Sequence, residues 1–490
     1  MSAKPADGRG AAFALTAACL VYAVALTLAG ADRYASYHSG ADLGEFVQTI
    51  ATPFSGFGDT PEGGSHFLHH FSPLLYLCSP VLLLAHSPVA LIAIQAIAGA
   101  LVAPAIYLLV RKRAGTRLAL FAAGVTLLYP PLVGVTFTDF HENGFAPAAI
   151  AWLAWAIDSR RWGWAALFVA IGLAIKEDEA LMFVVLGAGF AIWARRNGDS
   201  GLFRFSAGAA VAGALTLLLY FMVVRPLAGG HDTWFALGYI TNAEAHQDGI
   251  AAVLGRLSFL LEAFVPLCFV PLFGWRILIV VPGLIEVLSS HWSITYTMGQ
   301  HYAGVWVGEM LVVYALGLAA FAAHRGSRFA TRLAIASLVI CVLNLSLASP
   351  THWRHYLAPV NAHDRVIDAF IAALPPDAAV GTHDEIYSHL GFDPNARNEW
   401  ASLPEYVLVD NTYPSDGWQK IGRKQLDDLV RGHVYALVRS DDGVELYRRL
   451  KKVSNASSVC SGASSASKCP HSIAPPLTSS ALSRHVASTS

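Results

Sequence analysis

The sequence predicts a polytopic α-helical membrane protein with a small α/β domain toward its C-terminal end. Three observations predict this class. Of 490 residues only 14% are Asp, Glu, Lys or Arg and 55% are hydrophobic, whereas a soluble globular protein carries about 25% charged residues. Apolar runs recur between residues 12 and 348, many near the roughly 20 residues that cross about 30 Å of hydrocarbon. After about residue 350 the pattern changes to charge, turns and short alternating strands. Mean hydropathy is +0.48. These values exclude a disordered chain, a disulfide scaffold and an ordinary cytosolic enzyme. The net charge of -1 gives no basic surplus for a nucleic-acid partner.

The first span is expected at 12–30, behind Lys4 and Arg9. A cleaved signal peptide ending at the small residues 29–31 is its alternative. A polar external loop, 31–72, follows. Residues 73–85 are too short for an easy crossing and read as an interfacial or re-entrant helix. Further spans are expected at 88–110, 117–134, 144–158, 162–175, 179–194, 205–224, 257–274, 277–290, 303–323 and 329–348, about eleven in all. The positive-inside rule supports this count. It places Arg111, Lys112, Arg113, Arg117, Arg160, Arg161, Arg195, Arg196 and Arg204 on the cytoplasmic side. Arg276, Arg325, Arg328 and Arg332 fall on the same side. The N-terminus is then cytoplasmic and the C-terminal segment external.

The multi-span domain is expected over 1–350 and the external α/β domain over 351–452. Strands are expected from Asp377 to Thr382, Tyr406 to Asp410 and His433 to Arg439, with helices at 363–373 and 422–431. Residues 453–490, rich in Ser and Ala, read as a disordered tail. Cys19, Cys78, Cys268 and Cys341 lie in apolar stretches and act as small hydrophobes. Cys460 and Cys469 lie in the tail, and no Cys spacing points to zinc.

This topology gathers unusual polar residues at the external face: Asp42 and Glu45, His69 and His70, Asp139, His141 and Glu142, Lys176, Glu177 and Asp178, and His301 with Tyr302. Each has a bland reading. Asp42 can cap the following helix, Asp139 or Asn143 can cap the next span, the two histidines can be interfacial, and the Lys176 turn can be an ordinary charged hairpin. Their convergence carries the functional reading, because ionisable groups beside apolar spans are costly. A carboxylate can act as general base on a hydroxyl. A facing Lys or His can neutralise a departing phosphate. Asp42, Asp139 and His141 are candidate ligands for a divalent cation, the one cofactor suggested.

The ordered motifs Asp42-Leu-Gly, His70-Phe-Ser-Pro73, Asp139-Phe-His-Glu142 and Lys176-Glu-Asp178 resemble the bacterial predicted membrane proteins catalogued as domain of unknown function 2079. The resemblance runs from about residue 40 to about 440, including Trp353-Arg-His-Tyr356. That family is grouped with the GT-C superfamily of integral membrane glycosyltransferases. The resemblance implies a GT-C-like fold in a cell inner membrane. It also implies a sugar donor carried on a polyprenyl phosphate, held among membrane lipid, with chemistry at the extracytoplasmic face. Asp42 matches the first-loop catalytic carboxylate; Asp139 and Glu142 resemble the second-loop acidic group. Glu45 stands where family members commonly have a smaller apolar residue, and the usual adjacent acidic pair is absent. His69, His70, His141, Lys176, Glu177, Asp178, His301 and Tyr302 are then expected to bind substrate. A transporter or lipid flippase, for which Glu262 and Glu286 within late spans speak, and a non-catalytic assembly protein are the competing readings.

Overall fold

The computed structural model describes residues 6–241, 249–348, 357–412 and 422–450. The expected disordered tail and the motif 353–356 lie outside them. The described chain divides into two units, at Pro359 and Val360.

In the first unit, helix α1 (Ala6–Ala35) leaves Phe13, Leu20, Val24 and Leu28 more than half exposed. Such a face suits hydrocarbon, where the helix satisfies its own backbone groups. Helix α2 (Ala41–Ala51) buries Leu43, Phe46, Val47 and Ile50, the spacing of one apolar helical face. A small hairpin pairs β1 (Gly58–Asp59) with β2 (Gly64–Ser65). The short element expected at 73–85 is a 3-10 turn, Pro73–Leu77, and a seven-residue helix α3 (Ser79–Ala85). Leu77 and Leu84 stand out from it, 73% and 89% exposed.

Helices α4 (Val89–Ala100) and α5 (Val102–Ala114) make one apolar stretch of 26 residues. Arg111, Lys112 and Arg113 close its last turn, where cations favour the helix dipole. Helices α6 (Thr116–Leu128) and α7 (Pro130–Phe137) are bent by 47°. Pro130 and Pro131 break them, since proline cannot donate the helical hydrogen bond. Helices α8 (Ala146–Asp158) and α9 (Trp162–Leu173) have 13 and 12 residues, about 18–20 Å of rise. Helices α10 (Glu177–Arg196) and α11 (Ser200–Leu219) follow, and later come Gly249–Phe264, Gly304–Arg325 and Ser327–Leu343.

Among the described residues, six helices are long and apolar enough to cross a membrane, or seven with the bent pair as one span. The eleven expected spans are not all of that kind. The segment expected at 277–290 is a 3-10 turn and a nine-residue helix, Val281–Ser289. The one expected at 257–274 breaks at Cys268 and Phe269, both in the left-handed region. The buried core lies between α5, α6 and Gly304–Arg325 and includes Ile106, Ala122, Trp306, Val307 and Met310.

The second unit is a four-stranded sheet in the order β3-β4-β6-β5, formed by Val380–Gly381, Tyr406–Asp410, Val444–Arg449 and Tyr435–Asp441 respectively. The β3–β4 pair is parallel and the others antiparallel. Val407, Val409, Leu426, Tyr435 and Tyr447 form its core. Helices Ala362–Ile371 and Arg423–Arg431 match the two expected helices. The first starts in a capping box, with Asn361 accepting from the backbone of Asp364 and Asp364 reaching back. Two elements were not expected: helix Asp384–Leu390 and strand β6. The first expected strand shrinks to two residues.

Candidate functional site

Helix α1 ends at Ala35, and α2 begins six residues later. The turn between them is held from α7. Arg33, 7% exposed, pairs through Nη2 with Asp139 Oδ2 at 3.0 Å and donates to the carbonyls of His38 and Phe137. The same Asp139 oxygen accepts the backbone N–H of Gly40 at 2.7 Å, which is the N-cap of α2. Asp139 therefore fixes the start of the helix that carries Asp42.

Asp42 is 53% exposed and meets His141 Nε2 at 3.1 Å. The other nitrogen of His141, Nδ1, donates to the carbonyl of Asp139 at 2.8 Å. A ring donating at Nδ1 faces a carboxylate at Nε2 favourably only when it is doubly protonated. The electrostatics agree. Burial alone would raise the Asp42 carboxyl, but His141 and then Arg33 hold it below the ordinary range. Burial alone would lower His141, but Asp42 raises it. Asp42 does not cap α2, as Gly40 holds that position without a side-chain bond.

The loop behind His141 is set by Gln95, 1% exposed. Its amide donates to the carbonyls of Val135, Thr136 and Thr138 and its Oε1 accepts the His141 N–H at 2.9 Å. His301 stacks on His141 with centroids 3.5 Å apart, and Tyr302 lies tilted against His301 at 4.0 Å. Gly304 permits this approach, since a Cβ there would meet the Asn143 carbonyl at 2.5 Å. The Nδ1 of His301 is buried without a hydrogen-bond partner. Asp42, His141 and His301 each offer one atom within 4.8 Å of the others. This donor set fits a divalent cation bound by oxygen and imidazole nitrogen once His141 gives up its Nε2 proton. Asp139, also expected as a ligand, is occupied by Arg33 and Gly40.

Beside this group lies a second one. Lys176 Nζ is 3.2 Å from Glu142 Oε1 and 3.8 Å from Asp178 Oδ2. Burial would raise Glu142, but Lys176 brings it down to about 2. Its second oxygen is buried without a partner. Glu177, in the first turn of α10, accepts from His70 Nδ1 at 2.8 Å and from the Phe71 N–H at 2.7 Å. Burial, and then Lys176, push His70 well below its ordinary value, so the ring is neutral and Lys176 holds the positive charge. Glu45 faces Asp59, Glu62, Asp42 and Glu142; burial first, and then these carboxyls, push it well up. Asp42 and Glu45, three residues apart, are thus driven in opposite directions.

Of the expected residues, Asp42, His141, His301 and Tyr302 form one contact group, and His70, Glu142, Lys176, Glu177 and Asp178 the adjoining one. His69 turns aside, with Nε2 on the Glu62 carbonyl and its own carbonyl accepting from Trp234. Arg33 and Gln95 were not singled out from the sequence. An isolated amide within an apolar span was the available signal for Gln95.

The family model described as "Predicted membrane protein (DUF2079)" matches residues 33–446. No curated protein matches the chain. The structure of ArnT from Cupriavidus metallidurans bound to undecaprenyl phosphate is 12% identical, with a TM-score of 0.52 over 87% of this chain and 97% of that one. ArnT in the apo state gives 11%, 0.53 and the same coverage. At this identity the likeness is one of fold. The archaeal oligosaccharyltransferase AglB from Archaeoglobus fulgidus, in complex with an inhibitory peptide and a dolichol-phosphate, also matches, at 12% identity and a TM-score of 0.42 over 88% of this chain and 74% of that one.

Proposed function

We propose, for a chain that belongs to the DUF2079 family of predicted membrane proteins, that it is a GT-C-like glycosyltransferase using a sugar carried on a polyprenyl phosphate. The carrying observation is Asp42: a half-exposed carboxylate, kept ionised by a buried imidazolium. The reading places this site at the extracytoplasmic face of a cell inner membrane, with the N-terminus in the cytoplasm and the C-terminal unit outside. In ArnT the bound lipid is undecaprenyl phosphate, and the same class of lipid is proposed as donor carrier here.

The chemistry follows from the two groups. Asp42 takes the proton of an acceptor hydroxyl, and that oxygen attacks the anomeric carbon. The bond from that carbon to the phosphate oxygen breaks, and its electron pair leaves with the polyprenyl phosphate. Lys176 supplies positive charge against the departing phosphate, where preorganised charge acts most strongly. His70, locked by Glu177, contributes a neutral ring for hydrogen bonding. Tyr302, half-buried beside His301, offers a ring to the sugar. A divalent cation on Asp42, His141 and His301 would take the place of the imidazolium proton on Nε2, so the positive charge beside Asp42 would come from one or the other. Asp42→Asn, assayed in membranes with a polyprenyl-phosphate-linked sugar, is the test; undiminished transfer would remove Asp42 from the mechanism and the reading with it.

One observation favours a transporter as the second reading. Glu286 and Glu309 each keep a buried carboxylate oxygen without a hydrogen-bond partner, as a proton or solute pathway requires. Glu262, by contrast, accepts from Ser258 at 3.0 Å. Solute uptake by proteoliposomes that is lost in Glu309→Gln, with sugar transfer absent, would favour this reading.

A further inference from the structure

The first loop holds a second cluster that the transfer chemistry does not use. Asp59 ends strand β1, Glu62 lies in the hairpin turn, and His66 opens the 3-10 turn that follows. One oxygen of each carboxyl and one ring nitrogen of His66 lie within 4.8 Å of one another. Asp59 is oriented by Thr49 Oγ1 at 2.8 Å and by the Glu62 N–H at 2.7 Å. His66 is 1% exposed. Its Nδ1 lies 3.0 Å from Glu62 Oε2, while Nε2 is buried without a partner. Lys176 acts on Glu62 from a distance but is itself paired with Glu142. Glu45 faces both carboxyls.

We propose that Asp59, Glu62 and His66 bind a divalent metal ion of the zinc type, which pins the hairpin to α2 and holds the loop leading to His70. Two carboxylates and one imidazole are donors that zinc takes at about 2.0–2.2 Å, with Glu45 or water to complete the shell. The site is separate from the Asp42–His141–His301 group and does not depend on the glycosyltransferase reading.

The test is calorimetric titration of the detergent-purified full chain with Zn2+. His141→Gln first removes the other donor group. This chain is expected to bind one Zn2+, and adding Glu62→Gln is expected to weaken that binding by at least about tenfold. Equal affinity with and without Glu62→Gln would overturn the site. A second measurement covers a Glu62→Gln chain that fails to fold. In the His141→Gln chain, Zn2+ is expected to slow proteolysis at the exposed residues Phe54, Ser55 and Gly56. A cleavage rate that Zn2+ leaves unchanged would equally overturn it.

Discussion

The two ends of helices α8, α9 and α10 use the same kinds of charged residue in opposite ways. At one end, Lys112 and Arg113 meet Asp158, and Arg160 meets Asp199. Lys112 and Arg160 are 56% and 57% exposed there. At the other end, Arg33 meets Asp139 and Lys176 meets Glu142, and none of these four side chains exceeds 10% exposure. Exposed pairs add little to stability and tolerate change. Buried pairs are often no more stabilising than apolar packing would be, yet breaking one strands a charge. The buried end thus bears an electrostatic cost that the fold does not require, which is the sign of a site.

The sharpest way to break this contrast is Asp42→Asn. Sugar transfer is expected to fall by about 100-fold or more, the contribution of a positioned general base. Next comes Lys176→Met, which leaves Glu142 buried and unpaired. A loss of about 3–5 kcal/mol is expected, read as thermal unfolding in detergent and accompanied by loss of transfer. Gln95→Leu leaves the His141 N–H without its acceptor, and about 1–3 kcal/mol is expected from that, again by thermal unfolding. Lys112→Met at the exposed end is the control: a change within about 1 kcal/mol and unchanged transfer. A Lys112→Met effect as large as that of Lys176→Met would erase the difference between the ends.

The Asp42–His141 pair adds a pH signature. The Asp42 value is depressed, so its contribution is present above the unfolded carboxyl value and is lost as pH falls through the folded one. The His141 value is raised, so its contribution is present below the unfolded imidazole value and is lost as pH rises through the folded one. Their joint contribution is therefore full between about pH 4 and pH 6.5. The stability difference between the unsubstituted chain and His141→Gln is expected to be largest there and to shrink on both sides. A difference independent of pH would show that the two groups do not form an ion pair.

Much of the site was legible because charge inside an apolar sequence is conspicuous. Asp42, His70, Asp139, His141 and Lys176 stood out for that reason, and the contacts bring their segments together. Arg33 and Gln95 were less legible. Arg33 reads as an ordinary flanking cation until its partner, more than a hundred residues away, is in place. Gln95 satisfies carbonyls freed where α7 ends, and no local pattern announces them. Not every expected span is one long helix, because apolar composition does not reveal breaks; Cys268 and Phe269 take left-handed backbone without a glycine to mark it. Strand β6 was missed because Arg448 and Arg449 close it, and its alternation shows only against β4 and β5.

Glu177 has one further consequence. A single carboxylate grips both the ring of His70 and the backbone beside it, so the first loop and the 20-residue helix α10 are mechanically one part while that latch holds. A group that turns the His70 ring aside breaks the bond on one carboxylate oxygen and leaves the Phe71 N–H on the other, so the loop backbone stays tied to α10.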